Sequence, residues 1–270
     1  MLRALALLLC VFSGTVQALE SVTLQLKWRH QFQFAGYYAA IEKGYYRDAG
    51  LDVRLVEATP ATNVVQEVVA GRAQFGVGTS EILLASHQAP VVALAVILQH
   101  SPIILIARAD KIDNLHQLAG EKVMLEAHSE ELLTYLRNEG LPQERLHLQP
   151  HSQNIADLID GKVTAMSAYS TTEPYLLRRA GIQAMEFSPR AGGIDFYGDN
   201  LFTSQHELRQ NPERVRAFRA ASLRGWEYAM QHPDEIIALI LARYNSQGLD
   251  RDFLTFEANR TAQLMQSQLV

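Results

Sequence analysis

The amino-acid sequence predicts an α/β protein of two lobes, each a mixed sheet covered by helices, with a helical segment at the C-terminal end. Three observations support this prediction. Strand-sized apolar runs alternate with helical patterns in the first third of the chain. Two apolar runs, Val91–Leu98 and Ile103–Ala107, are then separated by a polar segment that ends in Pro102, which suits a crossing between lobes. A second strand–helix alternation follows that crossing.

The first unit is predicted from a strand and the loop that follows it. Val22, Leu24 and Leu26 alternate with polar residues, as in a half-buried strand. A polar and aromatic loop, 28–33, comes next, and a helix opens near Phe34. In open α/β sheets, ligands bind beyond the carboxyl ends of the strands. This loop is therefore the first candidate for a ligand-binding segment.

Two further strands, Leu51–Val56 and Phe75–Val77, continue the first unit. Thr62 is expected to cap a helix over 63–70, and the segment 78–81 to open a helix that runs to about 86. The alternation is that of a parallel sheet with covering helices, so the segments after the three strands are expected to share one edge.

The last helices are predicted from their starts. Asn211 is expected as the cap and Pro212 as the first residue of a helix to about 231. Two more helices, over 233–244 and about 250–268, finish the chain. Lobe I is predicted to comprise residues 19–104 plus 198–270, and lobe II residues 105–197.

Residues 1–18 are predicted to be a secretory signal peptide. They combine a basic start at Arg3, an apolar run over 4–12 and a small-x-Ala cleavage site at Val16-Gln17-Ala18. The apolar run is too short to span a bilayer. We therefore expect a periplasmic protein whose signal peptide is removed.

The composition excludes several function classes. The formal net charge is −5 and no basic cluster occurs, so nucleic acid is not an expected partner. The one cysteine, Cys10, lies in the predicted signal peptide, which leaves no disulfide and no thiol nucleophile. The nine histidines form no metal-binding motif. We expect neither a metal nor a cofactor.

Four segments, 26–58, 68–85, 118–125 and 211–236, carry a family signal. Together they resemble the periplasmic solute-binding proteins of the thiamine-pyrimidine and alkanesulfonate uptake family, which also contains the hydroxymethylpyrimidine phosphate synthases of yeasts. The resemblance implies a two-lobed periplasmic binding protein of the type II-like kind, which traps a small molecule by hinge closure.

The residues that the synthase branch of this family uses for its chemistry can be compared with the matching positions of this chain. Its members carry a lysine that holds pyridoxal phosphate and a histidine four residues later, where this chain has Gly78 and Ile82. Their cysteine-rich iron-binding segment matches roughly 190–202, which contains no cysteine here. An aldimine needs an amine and iron needs ligands, so these departures favour a binding protein that is not an enzyme.

Eleven residues are the predicted ligand contacts. They are Trp28, Gln33, Phe34, Tyr37, Thr79, Ser80, Glu81, Ser129, Glu173, Asp195 and Tyr197. Trp28 can stack on a flat ring, which contributes roughly 1–3 kcal/mol by analogy with base stacking, although packing between the lobes explains it equally well. One of Phe34 and Tyr37 is expected to face the crevice and the other the core.

Each of the polar candidates also has two interpretations, as a ligand contact or as a structural residue. Thr79, Ser80 and Glu81 form a predicted first helical turn, whose free N–H groups suit an anion or a carbonyl, or are simply capped. Ser129 has the same two readings in lobe II. Glu173 can pair with the N–H donors of an aminopyrimidine and repel a sulfonate, or merely favour the helix dipole.

The loop 190–202 contributes the remaining candidates. Asp195, Tyr197 and Asp199 can close over a ligand, or act as ordinary turn formers. His100 at the crossing is expected to be a buried structural histidine.

These observations predict an extracytoplasmic solute-binding protein that traps a small molecule for delivery to an ABC permease, and the resemblance implies that the ligand is above all a thiamine-precursor pyrimidine. One alternative is the ligand-sensing periplasmic domain of a membrane kinase or cyclase, because the last helix lacks a cap and related proteins run longer. A synthase-like enzyme is the other alternative, and Gly78 and Ile82 disfavour it.

Overall fold

The computed structural model describes residues 18–80, 82, 89–126 and 129–266. The predicted signal peptide therefore lies outside the described residues except for its last position. Most of the helix predicted from 78–81 to about 86, and the last residues of the final predicted helix, lie outside them too. Within the described part of the chain, none of the helices has the length and apolar character needed to cross a bilayer.

Two five-stranded sheets form the framework of the described residues. Their strands are β1 Glu20–Gln25, β2 Leu51–Val56, β3 Phe75–Gly78, β4 Val91–Val96, β5 Ile103–Arg108, β6 Lys122–Leu125, β7 His147–Pro150, β8 Ala165–Tyr169, β9 Ala184–Phe187 and β10 Asn200–Ser204. The first sheet has the order β2-β1-β3-β10-β4 and the second β7-β6-β8-β5-β9. Each contains parallel and antiparallel pairs, which confirms the prediction of two mixed sheets.

Helices cover both sheets. The α-helices are Ala35–Glu42, Tyr45–Asp48, Val64–Val69, Glu130–Asn138, Ala156–Ile159, Glu173–Arg179, Gln205–Gln210, Pro212–Gln231, Pro233–Leu239 and Arg251–Met265. Short 3₁₀ turns lie at Phe32–Phe34, Leu115–Leu118, Gln143–Arg145 and Pro189–Gly192. The helix predicted over 233–244 changes at Ile240–Tyr244 into a π-helical turn.

One predicted helix cap is wrong, and a second occupies the predicted position without a capping side-chain bond. The Asn63 side chain, and not that of Thr62, accepts the Gln66 N–H at 3.0 Å, while the Thr62 hydroxyl accepts the Thr59 N–H at 2.9 Å. Asn211 is the N-cap residue of the long helix as predicted, but its side-chain amide donates to Glu207 at 3.1 Å and makes no capping hydrogen bond to that helix. In both cases a neighbouring polar group competes for the side chain.

The largest core packs helices against the first sheet. The rings of Phe75 and Phe218 stack at 3.8 Å between centroids. The helices Ala35–Glu42 and Pro212–Gln231 approach so closely that a Cβ at Gly225 would lie 2.1 Å from the Gly36 carbonyl oxygen. Only glycine permits this backbone contact, which fixes the helix that follows β1 against the long helix.

The register of the first sheet collects strand ends at one edge. β1, β2 and β3 run parallel, so the segments after Gln25, Val56 and Gly78 lie together. β10 is antiparallel and places Asn200 opposite both Gly78 and Val96. The residues just before Asn200 therefore join the same edge, which we call the first edge.

The second sheet has a corresponding edge. β6 and β8 are parallel, and Ile103 at the start of β5 pairs with Tyr169 at the end of β8. The segments after Leu125 and Tyr169 and before Ile103 therefore lie together, at what we call the second edge. The residue boundaries of the two lobes stay a prediction, and the membership of all of β5 in the second sheet favours a crossing before Ile103.

Candidate ligand-binding site between the two edges

A hydrogen bond joins the two edges directly. Lys27 follows β1 at the first edge, and its ammonium donates to the Tyr169 hydroxyl at 3.0 Å at the second edge. The same ammonium lies 4.8 Å from the centre of the Tyr169 ring. The edges of the two sheets therefore face each other, and the crevice between them is the candidate site.

Lys27 is held in its charged form. Its ammonium lies 2.7 Å from the Asp199 carboxylate, which is 2% exposed. Burial lowers the pKa of Lys27, but Asp199 and Tyr169 raise it more, so the net pKa lies above the ordinary value. The crevice therefore contains a buried, neutralised ion pair on the side of the first edge.

A polar chain extends from this ion pair into the loop after β1. The Gln33 amide donates to Asp199 at 2.8 Å and receives a hydrogen bond from Gln31 at 2.9 Å. The Glu257 carboxylate, on the C-terminal helix, accepts the N–H groups of Phe32 at 2.8 Å and Gln33 at 3.0 Å. Burial raises the pKa of Glu257 to about 8. The C-terminal helix thus fixes the loop that begins with Trp28.

Glu173 lies at the second edge, as the first residue of the helix Glu173–Arg179. Its carboxylate accepts the Tyr169 N–H at 2.7 Å. Burial raises the pKa of Glu173 to about 7, while hydrogen bonds from backbone N–H groups oppose that rise. A carboxyl group that titrates near neutral pH can either donate to or accept from a ligand.

Glu131 adds a second carboxyl group near this edge. Its side chain is buried and accepts the Ser101 hydroxyl at 2.6 Å. Burial raises the pKa of Glu131 above its ordinary value, although the hydrogen bond from Ser101 and the nearby Lys27 charge oppose that rise. The second edge therefore presents acids whose charged forms are poorly compensated.

Trp28 follows Lys27 at the first edge. It is partly buried and packs against the main core, with the Arg29 guanidinium 5.7 Å from its ring. Its carbonyl accepts the Ala58 N–H at 3.2 Å, which ties the loop to the segment after β2.

The structure brings two other predicted residues together. The Ser80 hydroxyl donates to the Tyr197 carbonyl at 2.5 Å, so the segment after β3 contacts the loop before β10. The Tyr197 side chain is 54% exposed. Thr79 is partly buried and its carbonyl accepts the Ile82 N–H at 3.2 Å. Glu81 lies outside the described residues.

Asp195 is engaged at the crossing between the sheets. Its carboxylate lies 2.9 Å from His100 Nδ1 and 3.5 Å from Arg190. His100 Nε2 lies 3.1 Å from the Gln266 carbonyl at the end of the C-terminal helix. His100 is 8% exposed, so it joins three connecting segments as a buried residue.

Three predicted contacts have other roles in the structure. Phe34 and Tyr37 are both fully buried in the main core, and Tyr37 packs edge-on against Trp226, with 5.7 Å between the ring centres. The expectation that one of them faces the crevice has no support there. The Ser129 hydroxyl donates to the Glu126 carbonyl at 2.8 Å, so it does not cap its helix.

Lys27, Glu131, Tyr169 and Glu257 are residues that sequence reasoning missed as site residues. Lys27 directly follows Leu26, the last apolar residue of the predicted strand alternation, so its place beyond the carboxyl end of β1, where ligands bind, could have been found from the sequence. The other three gain their roles from partners far along the chain.

The two edges present different chemical groups. An aromatic ring and a neutralised lysine stand at one edge and carboxyl groups at the other. Among the described residues, no group of histidine, cysteine and acidic side chains is arranged to hold a metal ion. Two open surface hollows, of about 500 and 420 Å³, are not lined by Lys27, Tyr169 or Glu173.

Two of the curated proteins that this chain resembles are binding proteins. The chain is 27% identical over 235 residues to the formylaminopyrimidine-binding protein of Halalkalibacterium halodurans, covering 83% of this chain and 71% of that protein. It is 28% identical to the riboflavin-binding protein RibY of Chloroflexus aurantiacus, covering 83% of this chain and 66% of that protein, just under two thirds of its length.

A solved structure supports the fold. The periplasmic aliphatic sulphonate binding protein SsuA from Escherichia coli superposes with a TM-score of 0.70 at 14% identity, covering 89% of this chain and 83% of that chain. The fold is therefore that of the two-lobed periplasmic binding proteins. The model of the family described as "NMT1/THI5 like" matches residues 31–236, and this chain belongs to that family.

Proposed function

We propose that this protein is an extracytoplasmic solute-binding protein that encloses a flat, nitrogen-containing ring between its lobes, above all a thiamine-precursor pyrimidine. The observation that carries the proposal is the opposition of the two edges, with Trp28 beside Lys27 at one and Glu173 beside Tyr169 at the other. A ligand held there would contact both lobes, so its binding would favour closure.

The two edges offer different contacts to such a ring. Trp28 offers a face on which the ring can stack. Glu173 offers a carboxylate that can accept the N–H donors of an aminopyrimidine, and the acids of the second edge disfavour a sulfonate. The two relatives named for a pyrimidine and a flavin support a planar ligand with ring nitrogens.

The structure leaves little room at Gly78 for the lysine that the synthases carry at this position. A Cβ at Gly78 would lie 2.7 Å from Ile82 Cγ2 and 3.3 Å from the Phe202 ring. A lysine at this position would require Ile82 to move, and Ile82 itself is buried. These contacts support a binding protein over an enzyme of the synthase kind.

Periplasmic location and delivery to an ABC permease are part of the proposal. They rest on the predicted signal peptide and on the fold. No described contact favours the sensor-domain alternative, which stays a prediction.

A thermal-shift panel tests the ligand class. We expect formylaminopyrimidine or a related aminopyrimidine to raise the unfolding temperature, since a ligand at 100 times its Kd adds about 2.7 kcal/mol of stability. Riboflavin tests tolerance for a larger ring, and an alkanesulfonate should give no shift. Glu173→Gln should reduce the shift, whereas Glu144→Gln, the same change at an exposed position of lobe II, should not. A shift with the sulfonate and none with any pyrimidine would overturn the assignment.

A further inference from the structure

The contact between Lys27 and Tyr169 belongs to a continuous polar chain across the crevice. Gln33 donates to Asp199 at 2.8 Å, and Asp199 lies 2.7 Å from the Lys27 ammonium. Lys27 donates to the Tyr169 hydroxyl at 3.0 Å, and the Tyr169 N–H donates to Glu173 at 2.7 Å. The chain therefore connects the first edge to the carboxylate proposed to bind the ligand.

Opening of the crevice would affect the two halves of this series of hydrogen bonds differently. Asp199 and Gln33 belong to the first edge with Lys27, so their contacts survive a separation of the lobes. The bond from Lys27 to Tyr169 joins residues 142 positions apart on opposite edges and cannot survive it. The ammonium keeps its counter-ion when the crevice opens, so opening exposes no unpaired buried charge.

We propose that Lys27 and Tyr169 form a closure latch, in which the ammonium at the first edge holds the phenol at the second edge and stabilises the closed arrangement of the lobes. The inference rests on the proposed function only in taking the crevice as the ligand site. Lys27 is a positioning residue in this scheme, because it acts on the ligand through Tyr169 and Glu173.

The latch couples to the ligand through one backbone group. Glu173 accepts the N–H of Tyr169, so a ligand that fixes the Glu173 carboxylate also fixes the end of β8 that carries the phenol. Because the latch stabilises the closed arrangement that encloses the ligand, it slows the opening through which the ligand leaves. Loss of the latch should therefore open the crevice and accelerate ligand release.

The decisive variant is Tyr169→Phe, which removes only the hydroxyl. Its matched control is Tyr244→Phe, because the Tyr244 hydroxyl donates to Glu42 at the same 3.0 Å but lies on the helical side of the first sheet, away from the crevice. Small-angle X-ray scattering of the ligand-free full chain gives the radius of gyration of each. We expect a larger radius for Tyr169→Phe than for wild type and no change for Tyr244→Phe.

A kinetic measurement adds a second readout. With formylaminopyrimidine as the probe, Tyr169→Phe should raise the dissociation rate about tenfold, equivalent to about 1.4 kcal/mol, with little change in association. Superimposable scattering of wild type and Tyr169→Phe would overturn the latch. If Tyr169→Phe does not fold, the double variant Lys27→Met with Asp199→Asn takes its place, with the same expected and contrary results. The scattering needs no ligand, so it decides the latch even if the proposed ligand class fails.

Discussion

The two edges of the crevice handle charge in opposite ways. At the first edge, the Lys27 ammonium and the Asp199 carboxylate lie 2.7 Å apart and neutralise each other, and the Gln33 amide donates a hydrogen bond to the same carboxylate. At the second edge, Glu131 and Glu173 have raised pKa values because burial disfavours their charged forms. A charge-balanced edge is preorganised, whereas an edge whose buried acids are poorly compensated gains from a ligand that brings N–H donors.

Removal of Asp199 should cause the largest change, because it breaks the balance of the first edge. Asp199→Ala leaves the Lys27 ammonium in the crevice without its counter-ion. We expect a loss of about 3–5 kcal/mol in the free energy of unfolding, measured by urea denaturation. Asp160→Ala, which breaks a 3.7 Å ion pair on the surface, is the control and should change stability by less than about 0.5 kcal/mol. Equal effects would mean that the ion pair of the first edge is not buried in solution.

Glu257 lies on the C-terminal helix, which supports the first edge, and it should make the stability of the folded chain depend on pH. Glu257 has a pKa of about 8 in the folded chain, against 4.5 for an ordinary glutamate. Between these values the folded chain holds a proton that the unfolded chain has lost, so stability falls as the pH rises. The contribution is fully present below about pH 4.5 and is lost as the pH passes 8, a change of a few kcal/mol at roughly 1.4 kcal/mol per tenfold change in proton affinity.

Urea denaturation between pH 5 and pH 8 measures this slope. Glu257→Gln removes one titrating group and should make the slope shallower, and the raised pKa of Glu173, about 7, accounts for part of the slope that remains. An unchanged slope in the variant would assign the dependence to other groups and separate the C-terminal helix from the first edge.

The affinity for the ligand should depend on pH because of the acid at the second edge. Glu173 has a raised pKa of about 7, so its carboxylate is mostly protonated at pH 6 and mostly ionised at pH 8. If ligand N–H donors bind the ionised form, affinity for an aminopyrimidine should rise up to about tenfold over this range. Calorimetric titration at each pH checks this, and Glu173→Gln should give a flat profile. A wild-type affinity that falls with pH would require the acid to act as a donor.

Ser129 should have the smallest effect, although it also lies near the second edge. Its hydroxyl is already bonded to the Glu126 carbonyl. Ser129→Ala should cost about 0.5–1.5 kcal/mol of stability and change ligand affinity less than about twofold. A large affinity loss, measured in the same titration, would mean that the Ser129 hydroxyl contacts the ligand in addition to the acids.

The regular elements were predictable because their signals are local. Alternation of Val22 and Leu24 with polar residues predicts β1, and Pro212 predicts the start of the long helix. The position of Trp28 at the carboxyl end of a strand follows from the parallel register. Once the strands are known, elementary sheet geometry determines which loops meet.

The polar partners were not predictable because they depend on tertiary distances. Tyr169 lies 142 residues from Lys27, and Glu257 lies 225 residues from Phe32. No periodicity links such pairs. The incorrect cap at Thr62 has a related cause, since two adjacent polar side chains compete for one helix start and the sequence does not rank them.

Calorimetric titration of formylaminopyrimidine against wild type, Trp28→Ala and Glu173→Gln tests the central claim most directly, because it samples one residue from each edge. We predict that each variant weakens binding at least about tenfold, equivalent to about 1.4 kcal/mol. Wild-type affinity in both variants would contradict the claim that the ligand is held between the two edges.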